Sequence, residues 1–276
     1  MAASLSVSVV VYHPVEKVLR DTLVSLRQAI RLALDAGVLA QARLILVDNG
    51  EIPSLFEPDD YFRIFEEDSD SIGMSCHSGH GNIGYGRGHN LALFETTCDH
   101  HLVLNPDVIL EPDALVRALE FCASHPSVSL ISPRSQTPGG SPEYLCKRYP
   151  ALLDLLLRGF APVWLKQFFS ARLARYEYRD ETGQGDFFSP EIISGCFMFG
   201  RTDVFRALNG FSPRYFMYFE DFDLSLRARR LGQLQHVPTV RITHLGGKAA
   251  RKGWRHIRMF ARSAGVFYRG HGLKVW

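Results

Sequence analysis

Hydrophobic positions in the first half of the chain alternate between strand-like runs and helix-like spacing. The run SVSVVVY, residues 6–12, predicts a buried strand that ends before His13-Pro14. Residues 15–36 carry apolar side chains at helical spacing, and Gly37 follows where a helix would end. Four later runs predict further strands: ARLILVD at 42–48, YFRIF at 61–65, HLVL at 101–104 and SVSLISP at 127–133. Two more helices are predicted, around residues 91–97 and over residues 111–126.

Strands that alternate with helices predict a mostly parallel sheet with helices on both faces. Ligands of such sheets bind beyond the carboxyl ends of the strands. Asp48 follows one predicted strand directly, and Asn105-Pro106-Asp107 ends another, because Pro106 lacks the N–H that a central strand needs. We therefore expect Asp48 and Asp107 to face the same crevice.

The second half of the chain is less regular. Residues 135–190 are rich in Pro, Gly and aromatic residues and predict a helical piece near 152–158. Beyond them, ISGCFMFGR at 193–201 predicts a strand or a pair of loops, EDFDLSLRARRLG at 220–232 a helix, and VRITHLGG at 240–247 a short strand.

Composition indicates a globular protein. The 276 residues are 46% hydrophobic and 22% charged, which suffices for one large domain or two small ones. The net charge of +2 does not indicate a nucleic-acid partner, and we expect none. The five cysteines include no CxxC pair and indicate a reducing compartment. The N-terminal segment has no basic stretch before its apolar run, and no apolar stretch is long enough to span a membrane, so we expect a cytoplasmic protein.

Seven motifs in order resemble those of family 2 glycosyltransferases, and most closely the bacterial rhamnosyltransferase branch. They are VVVYHP, ILVDNG, GNIGYGRGHN, LNPDV, SGCFMFGR, YFEDFDLSLRARRLG and THLGG, and they cover nearly the whole chain. The resemblance implies an α/β GT-A fold, the Rossmann-like fold of nucleotide-diphospho-sugar transferases, with a mostly parallel central sheet. It implies a single GT-A domain with three parts: a nucleotide-sugar-binding half at 1–134, an acceptor-binding and catalytic half at 135–245, and a basic amphipathic helix at 246–276.

Two segments are the candidates for holding the nucleotide sugar. Asp48 can accept the imide N–H of uracil or thymine, although an Asp that initiates a turn is the alternative. The Gly-rich stretch at 81–90 resembles the family's loop over the nucleotide, where Arg87 would neutralise phosphate charge. The alternative is a flexible Gly turn with His89 and Asn90 capping the next helix. The resemblance implies a nucleotide-sugar set of Tyr12, Pro14, Asp48, Asn49, Asn82, Gly84, Arg87, Asn90, Asn105 and Gly195.

Asp107 and His244 are the candidate metal ligands. Many family members carry Asp-x-Asp where this chain has Asn105-Pro106-Asp107, and His244 matches a later histidine of the family. Mg²⁺ or Mn²⁺ takes oxygen ligands, and one carboxylate together with substrate phosphates can suffice. The alternative is that Asp107 is an N-cap or turn residue.

Asp221 and Glu220 are the candidate catalytic residues. The resemblance implies inversion at the anomeric carbon, with Asp221 as the base on the acceptor hydroxyl and Glu220 binding the acceptor or orienting the base. Acids at the N-terminus of a helix are also common as plain partners of the helix dipole, and Asp223 is expected elsewhere on that helix. The other histidines singled out, His77, His80, His100 and His101, have no matching frame of Cys or acids and are expected at the surface or in loops.

The C-terminal segment is basic and amphipathic. From Lys248 onward there is no Asp or Glu, and Arg251, Arg255, Arg258 and Arg262 share one helical face. One interpretation is a peripheral contact with an anionic membrane on its inner face. The other is an ordinary helix packed on the domain with its basic face in solvent.

The predicted function is transfer of a sugar, on family resemblance L-rhamnose from dTDP-L-rhamnose, to a lipid-linked saccharide acceptor. The product would belong to lipopolysaccharide, O-antigen or another cell-surface glycan of the cell envelope. Two alternatives stay open: a hexosyltransferase of the same family that uses a UDP-sugar, and a non-catalytic nucleotide-sugar-binding protein. A nucleotide-dependent oxidoreductase is disfavoured, because the Gly-rich stretch does not follow the first strand.

Overall fold

The computed structural model describes residues 2–51, 56–246 and 254–276. In chain order the strands are β1 (Ala3–Val11), β2 (Leu39–Asp48), β3 (Ile72–His77), β4 (His100–Leu104), β5 (Val108–Leu110), β6 (Val128–Gln136), β7 (Pro142–Glu143), β8 (Cys146–Lys147), β9 (Ile192–Ile193), β10 (Phe197–Arg201) and β11 (Gln233–His244). The helices are α1 (Glu16–Asp35), α2 (Asp59–Phe62), α3 (Tyr85–Glu95), α4 (Ala114–Ser124), α5 (Leu152–Phe160), α6 (Val163–Phe168), α7 (Ser170–Tyr176), α8 (Arg179–Gln184), α9 (Thr202–Ala207), α10 (Glu220–Ala228) and α11 (Trp254–His271), with a 3₁₀ helix at Arg63–Asp68.

Strands from both halves of the chain form one main sheet, in the order β3-β2-β1-β4-β10-β6-β11-β5, with β7 paired to β6. The strands β3, β2, β1 and β4 are parallel to one another, and so are β6 and β11. Strand β10 lies antiparallel between β4 and β6, and β5 is antiparallel to β11. The predicted mostly parallel sheet is therefore confirmed.

Helices cover both faces of the sheet. Successive side chains of a strand point to opposite faces. In β1, Val9 packs in the same apolar cluster as Leu23 of α1, whereas Val10 packs with Ala92 of α3. The helices α1 and α3 therefore lie on opposite faces.

The face of β1 that meets α3 also buries a polar network. Ser6 and Ser8 are fully buried, and Ser8 Oγ lies 2.7 Å from His89 Nδ1 and 2.9 Å from His101 Nε2. His101 Nδ1 lies 2.7 Å from Ser6 Oγ. The prediction that His101 lies at the surface was wrong, because β4 is a central strand whose side chains are covered on both faces. Burial lowers the pKa of His101 to about 3 and also lowers that of His89.

The predicted strand at residues 61–65 is instead helical. Helix α2 and the 3₁₀ helix bury Tyr61 and Phe65, which are four positions apart and so share one helical face. Asp59 and Asp60 stand in the first turn, where they complement the helix dipole. The strand that pairs with β2 on the side away from β1 is β3, which the hydrophobic pattern did not indicate.

Helix α3 begins inside the Gly-rich stretch rather than near residue 91. Gly84 immediately precedes the helix with φ +92°, and a Cβ there would lie 2.3 Å from the carbonyl oxygen of Phe216. A Cβ on Gly86 would lie 2.7 Å from Phe211 Cβ. These glycines therefore allow the segment at 211–216 to pack directly against the start of α3.

Helix α11 packs its apolar face on the segment that precedes α10. Phe267 is fully buried in a cluster with Tyr215, Phe219 and Leu155. After α11, residues 272–276 run alongside the start of α5, where the N–H of Leu152 donates to the carbonyl of Lys274 at 2.8 Å. Arg258 and Arg262 are exposed, whereas Arg251 and the side chain of Arg255 lie outside the described residues. Within the described ranges, no helix has the length and apolar character needed to cross a membrane.

Candidate active site

The carboxyl ends of β1, β2 and β4 meet at one edge of the sheet, since these strands are parallel and adjacent. Asp48 at the end of β2 and Asp107 just beyond β4 therefore lie at the same edge, and that both face one crevice stays a prediction. A cleft of 360 Å³ opens there, and its lining includes Pro14, Asp48 and Tyr61. The strand ends thus provide a concave site beside Asp48.

Asp48 and Asn49 are both buried, and Asp48 lines this cleft. Asp48 Oδ1 accepts the N–H of Gly50 at 2.8 Å, which is the turn interaction considered as its alternative role. Asn49 Nδ2 donates to the carbonyl of Gly84 at 3.1 Å. Asn49 therefore ties the end of β2 to the start of α3.

The predicted residues of the Gly-rich stretch make contacts within the protein. Asn82 Oδ1 accepts the N–H of Gly84 at 3.0 Å. Arg87 donates to the carbonyl of Pro213. Asn90 Nδ2 donates to the carbonyl of Phe211 at 2.8 Å, and Asn90 Oδ1 accepts the N–H of Phe211 at 2.8 Å. Arg87 and Asn90 therefore hold the segment at 210–216 in place. Tyr12, another predicted residue of the nucleotide-sugar set, lies just after β1 and is about half exposed.

His244 lies between two carboxylates. Its Nε2 is 3.3 Å from Asp107 Oδ1, and its Nδ1 is 2.9 Å from Glu143 Oε2. Glu143 is fixed by Ser135 Oγ, which donates to its Oε2 at 2.8 Å. The backbone carbonyl of Asp107 accepts the N–H of Leu245 at 2.8 Å, which joins the Asn105–Asp107 turn to the end of β11.

The two carboxylates control the protonation of this histidine. Burial acts to lower the pKa of His244, but the hydrogen bonds and charges of Asp107 and Glu143 outweigh it and raise the pKa to about 10. For Glu143, burial raises the pKa, but the hydrogen bond and charge of His244 outweigh it, and the pKa is lowered. His244 therefore carries a proton on Nε2 at neutral pH, and a divalent cation between His244 Nε2 and Asp107 Oδ1 would have to replace that proton. Glu143, which contacts Nδ1, would then orient the imidazole, as a carboxylate commonly does for a metal-ligating histidine. Within the described ranges, this site included, no group of three or more His, Cys, Asp or Glu side chains is arranged to hold a metal ion, so the protein would supply two ligands here.

Asp221 and Glu220 open helix α10. Asp221 accepts the N–H of Gly195 at 3.1 Å and that of Phe222 at 3.0 Å, and it is half-buried. Burial raises the pKa of Asp221, while these two N–H groups and the charge of Lys147 act in the opposite direction. Glu220 is buried, and its pKa is raised by burial first and by the neighbouring charge of Asp221 second. The pair therefore combines an oriented carboxylate with a carboxyl group that keeps its proton more readily.

Tyr85 and the turn at 195–196 lie between the acid pair and the Asn105–Asp107 turn. The phenol of Tyr85 donates to the carbonyl of Gly195 at 2.7 Å. Burial raises the pKa of Tyr85, and the charges of Glu220, Asp221 and Asp107 add to this effect. Burial raises the pKa of the Cys196 thiol to about 12, and the charges of Glu143, Asp107 and Asp221 add to this effect. The Asn105–Asp107 turn and the candidate base Asp221 are therefore neighbours, because the N–H of Asn105 donates to the carbonyl of Cys196 at 2.9 Å and Asp221 accepts the N–H of Gly195.

Three residues of this site were not predicted from the sequence: Tyr85, Glu143 and Lys147. Glu143 stands in a two-residue strand within the irregular stretch, and nothing in the local pattern marks it. Tyr85 was part of a quoted motif but was taken for a loop residue. Lys147 is buried beside Glu177 at 3.6 Å, and burial lowers its pKa to about 8.

Asp223 faces away from the acid pair. It is fully buried, where its Oδ2 accepts Arg227 Nε at 2.7 Å and its Oδ1 lies 2.8 Å from His271 Nε2. The structure thus separates Asp223 from Asp221, as the sequence analysis expected.

The chain is similar in sequence to two curated rhamnosyltransferases. It is 27% identical over 175 residues to the N-acetylglucosaminyl-diphospho-decaprenol L-rhamnosyltransferase of Mycobacterium tuberculosis, in a match that covers 59% of this chain and 56% of the relative. The chain thus spans a little over half the length of that relative. It is 25% identical over 231 residues to Rhamnosyltransferase WbbL of Escherichia coli K12, with 73% of this chain and 82% of the relative covered. No protein-family model matches the chain.

Solved structures share the fold at low sequence identity. The mannosyltransferase PcManGT of Pyrobaculum calidifontis, in complex with GDP-Man and Mn²⁺, has a TM-score of 0.63 at 14% identity and covers 98% of this chain and 65% of its own. GalNAc-T7 with UDP, GalNAc and Mn²⁺ has a TM-score of 0.65 at 12% identity and covers 98% of this chain and 50% of its own. These neighbours are GT-A glycosyltransferases, so the predicted GT-A fold is confirmed. The resemblance described from the motifs is confirmed as well, since the curated relatives are named rhamnosyltransferases.

Proposed function

We propose that this chain is an inverting glycosyltransferase that moves a sugar from a nucleotide diphosphate to a saccharide acceptor. The observation that carries the proposal is that the Asn105–Asp107 turn and Asp221 both contact the turn at 195–196. The N–H of Asn105 donates to the carbonyl of Cys196 at 2.9 Å, and the N–H of Gly195 donates to Asp221 at 3.1 Å. Asp107 and His244 are suited to hold a cation at the leaving diphosphate, and Asp221 and Glu220 are suited to act on the acceptor hydroxyl. A single site that holds both has the parts that sugar transfer requires.

Asp107 and His244 are the proposed ligands of a Mg²⁺ or Mn²⁺ ion, which when bound neutralises charge on the leaving diphosphate. Both solved neighbours were determined with Mn²⁺. Glu143 orients His244 through Nδ1, so that Nε2 faces Asp107. Asn105, placed where other members carry a second carboxylate, leaves Asp107 as the main anionic ligand.

Asp221 is the proposed base. Its two backbone hydrogen bonds fix the carboxylate, and a raised pKa brings its basicity closer to the operating pH. Glu220, with its more strongly held proton, is proposed to bind or orient the acceptor. The remaining members of the nucleotide-sugar set are proposed to hold the donor: Tyr12, Pro14, Asp48, Asn49, Asn82, Gly84, Arg87, Asn90, Asn105 and Gly195.

The proposed donor is dTDP-L-rhamnose and the proposed acceptor is a lipid-linked saccharide of cell-surface glycan synthesis. The support is the sequence similarity to a rhamnosyltransferase whose name specifies a decaprenol-linked acceptor. The exposed Arg258 and Arg262 of α11 support a peripheral contact with the inner face of an anionic membrane. The three-part division of the domain remains part of this proposal.

The test is a thermal-shift panel of nucleotide diphosphates and nucleotide sugars, with and without Mn²⁺, followed by a transfer assay. A ligand at 100 times its Kd stabilises the fold by about 2.7 kcal/mol. We expect metal-dependent stabilisation by dTDP compounds above UDP compounds.

The alternatives give other results in the same experiments. A preference for UDP compounds would keep the mechanism and change the donor. Stabilisation by a nucleotide sugar without donor hydrolysis or transfer would identify a binding protein. No response to any nucleotide would contradict the proposed function.

A further inference from the structure

Helices α5, α6 and α7 and residues 272–276 form a continuous surface that the proposed reaction does not use. We call this surface the apolar face. Helices α5, α6 and α7 pack against one another. Residues 272–276 join them through the backbone pairing of Leu152 with Lys274, and through Arg172, whose guanidinium lies 4.7 Å from the centre of the Trp276 ring.

Large apolar side chains on this face are left in solvent. Helix α6 buries none of its residues, and Trp164 and Phe168 are 69% and 81% exposed. They are four positions apart and therefore share one side of the helix. On α5, Leu152 and Leu156 repeat the same spacing and are also exposed. The adjacent C-terminus adds three more exposed apolar side chains, Leu273, Val275 and Trp276.

A cluster of this kind requires a partner. Single exposed apolar residues are ordinary on a protein surface, but a contiguous set that includes two tryptophans marks an interaction site. Helix α5 has apolar side chains on both of its sides. Leu155 and Leu157 are buried against the domain, whereas Leu156 is exposed on the apolar face.

The charges around the apolar face select the kind of partner. Residues 151–176 contain four Lys or Arg. Arg172 pairs with Asp154 at 2.6 Å and Arg158 with Glu177 at 3.0 Å, whereas Lys166 and Arg175 have no ion pair within the described ranges. Beside the apolar face, Arg148, Arg172, Arg175 and Lys274 line a cleft of 280 Å³, together with the carboxylates of Asp154 and Glu191. An apolar surface with exposed Trp and Phe and a cationic rim is the pattern of helices that lie flat in the headgroup region of an anionic bilayer.

We propose that the apolar face binds the surface of an anionic lipid bilayer, with Trp164 and Phe168 inserted at the level of the headgroups. Lys166, Arg175 and Lys274 then meet the lipid phosphates. This site is separate from the basic side of α11, and its binding can be measured without donor or acceptor. It therefore goes beyond the proposed sugar transfer and does not depend on it.

The first test is co-sedimentation of the full chain with vesicles of phosphatidylcholine, with and without phosphatidylglycerol. We expect binding that requires phosphatidylglycerol and falls about fivefold for each cation neutralised in Lys166→Gln and Arg175→Gln. The double variant Trp164→Ser/Phe168→Ser should lose binding about tenfold or more. The matched control is Leu91→Ser/Phe94→Ser, which removes two exposed apolar side chains from α3 and should bind like the wild type.

The second test locates the contact through tryptophan fluorescence with brominated lipids. The chain has three tryptophans, and Trp254 stands at the start of α11, away in sequence from Trp164 and Trp276. We expect quenching to persist in Trp254→Phe/Trp276→Phe, in which Trp164 alone remains as the reporter. Vesicle-bound protein of this variant without quenching would place the contact away from the apolar face and overturn the proposal.

Equal vesicle binding by the wild type and the Trp164→Ser/Phe168→Ser variant would also overturn it. If that variant in addition changes its oligomeric state, measured by light scattering, the apolar face is a protein interface instead. Unchanged circular dichroism and an unchanged nucleotide-induced thermal shift establish that the variant is folded.

Discussion

Asp221 is oriented by the backbone rather than by other side chains. The N–H of Gly195 reaches it from the turn before β10, and that of Phe222 reaches it from its own helix. A side chain at position 195 would crowd this contact, since a Cβ there would lie 3.3 Å from the Tyr85 ring and 3.4 Å from Asp221 Cβ. Glycine therefore allows both Tyr85 and Asp221 to approach the same turn.

The first prediction concerns Asp221→Asn. The amide cannot accept the acceptor's proton, so we expect transfer to fall about 10²- to 10⁴-fold while nucleotide binding is retained. The measurement is the rate of transfer beside the nucleotide-induced thermal shift. Asp203→Asn, an exposed acid in the first turn of α9, is the control and should keep wild-type activity. Near-wild-type transfer by Asp221→Asn would remove Asp221 from the role of base.

The second prediction concerns Asp107→Asn. We expect the Mn²⁺-dependent part of the nucleotide-induced thermal shift to disappear, because the amide lacks the charge that a hard divalent cation requires. Asp113→Asn is the control, since that acid pairs with Arg117 on α4 instead. An unchanged Mn²⁺ dependence in Asp107→Asn would show that the metal, if bound, uses other ligands.

Helix α11 packs against the turn at residues 217–219, which precedes the acid pair Glu220 and Asp221. Tyr218 and Phe219, immediately before α10, have φ of +71° and +65°, a left-handed conformation that non-glycine residues rarely adopt. Ser263 donates to the carbonyl of Met217 at 2.7 Å, and the hydroxyl of Tyr218 lies 2.9 Å from His256 Nδ1. The packing of α11 thus stabilises a turn that is unfavourable on its own.

The third prediction concerns Asp223, the buried link between α10 and α11. Asp223→Ala leaves Arg227 and His271 without their partner, and breaking a buried ion pair costs about 3–5 kcal/mol. The measurement is the free energy of unfolding in urea. Asp180→Ala, an exposed acid in α8, is the control and should change stability little. A loss below about 1 kcal/mol in Asp223→Ala would contradict this account.

Apolar runs identified most elements, and the exceptions have physical causes. The strands β1, β2, β4 and β6 and the helices α1, α4 and α10 lie where hydrophobic spacing predicted them. The run at 61–65 fits a short helix as well as a strand, because apolar runs of that length do not distinguish the two. The Gly-rich stretch looked like a loop because glycine weakens helices, but here the close packing of residues 211–216 requires it.

Whole-chain topology determines which candidate residues meet. Strands β10 and β11 come from the second half yet insert between strands of the first, and this places Gly195 and His244 beside the end of β4. The motifs predicted that His244 and Asp107 belong together. Glu143 depends on the pairing of β7 with β6, which no local pattern encodes, and so it could not be predicted.

Three buried histidines lie in the sheet or in the helix packed on it. His89 lies on α3 and His101 on β4, while His236 on β11 has a pKa lowered to about 4 by burial and by the charge of Arg134. Each is neutral in the folded protein and gains a proton on unfolding in mild acid. Their contribution to stability is present above the unfolded pKa of 6.5 and is lost as the pH falls below it.

The last prediction isolates one of these histidines. His101→Gln should destabilise the protein at pH 7.5, because it disturbs the hydrogen bonds with Ser6 and Ser8. The difference in unfolding free energy between wild type and variant should shrink by about 2 kcal/mol between pH 6.5 and pH 5. Unfolded wild type takes up a proton at His101, which lowers its stability by about 1.4 kcal/mol per pH unit below 6.5, and the variant has no such group. The measurement is the difference in unfolding free energy across this range, with His125→Gln on the exposed end of α4 as the control. A difference that stays constant from pH 7.5 to pH 5 would mean that His101 does not titrate on unfolding, and the acid sensitivity of the sheet would then have another origin.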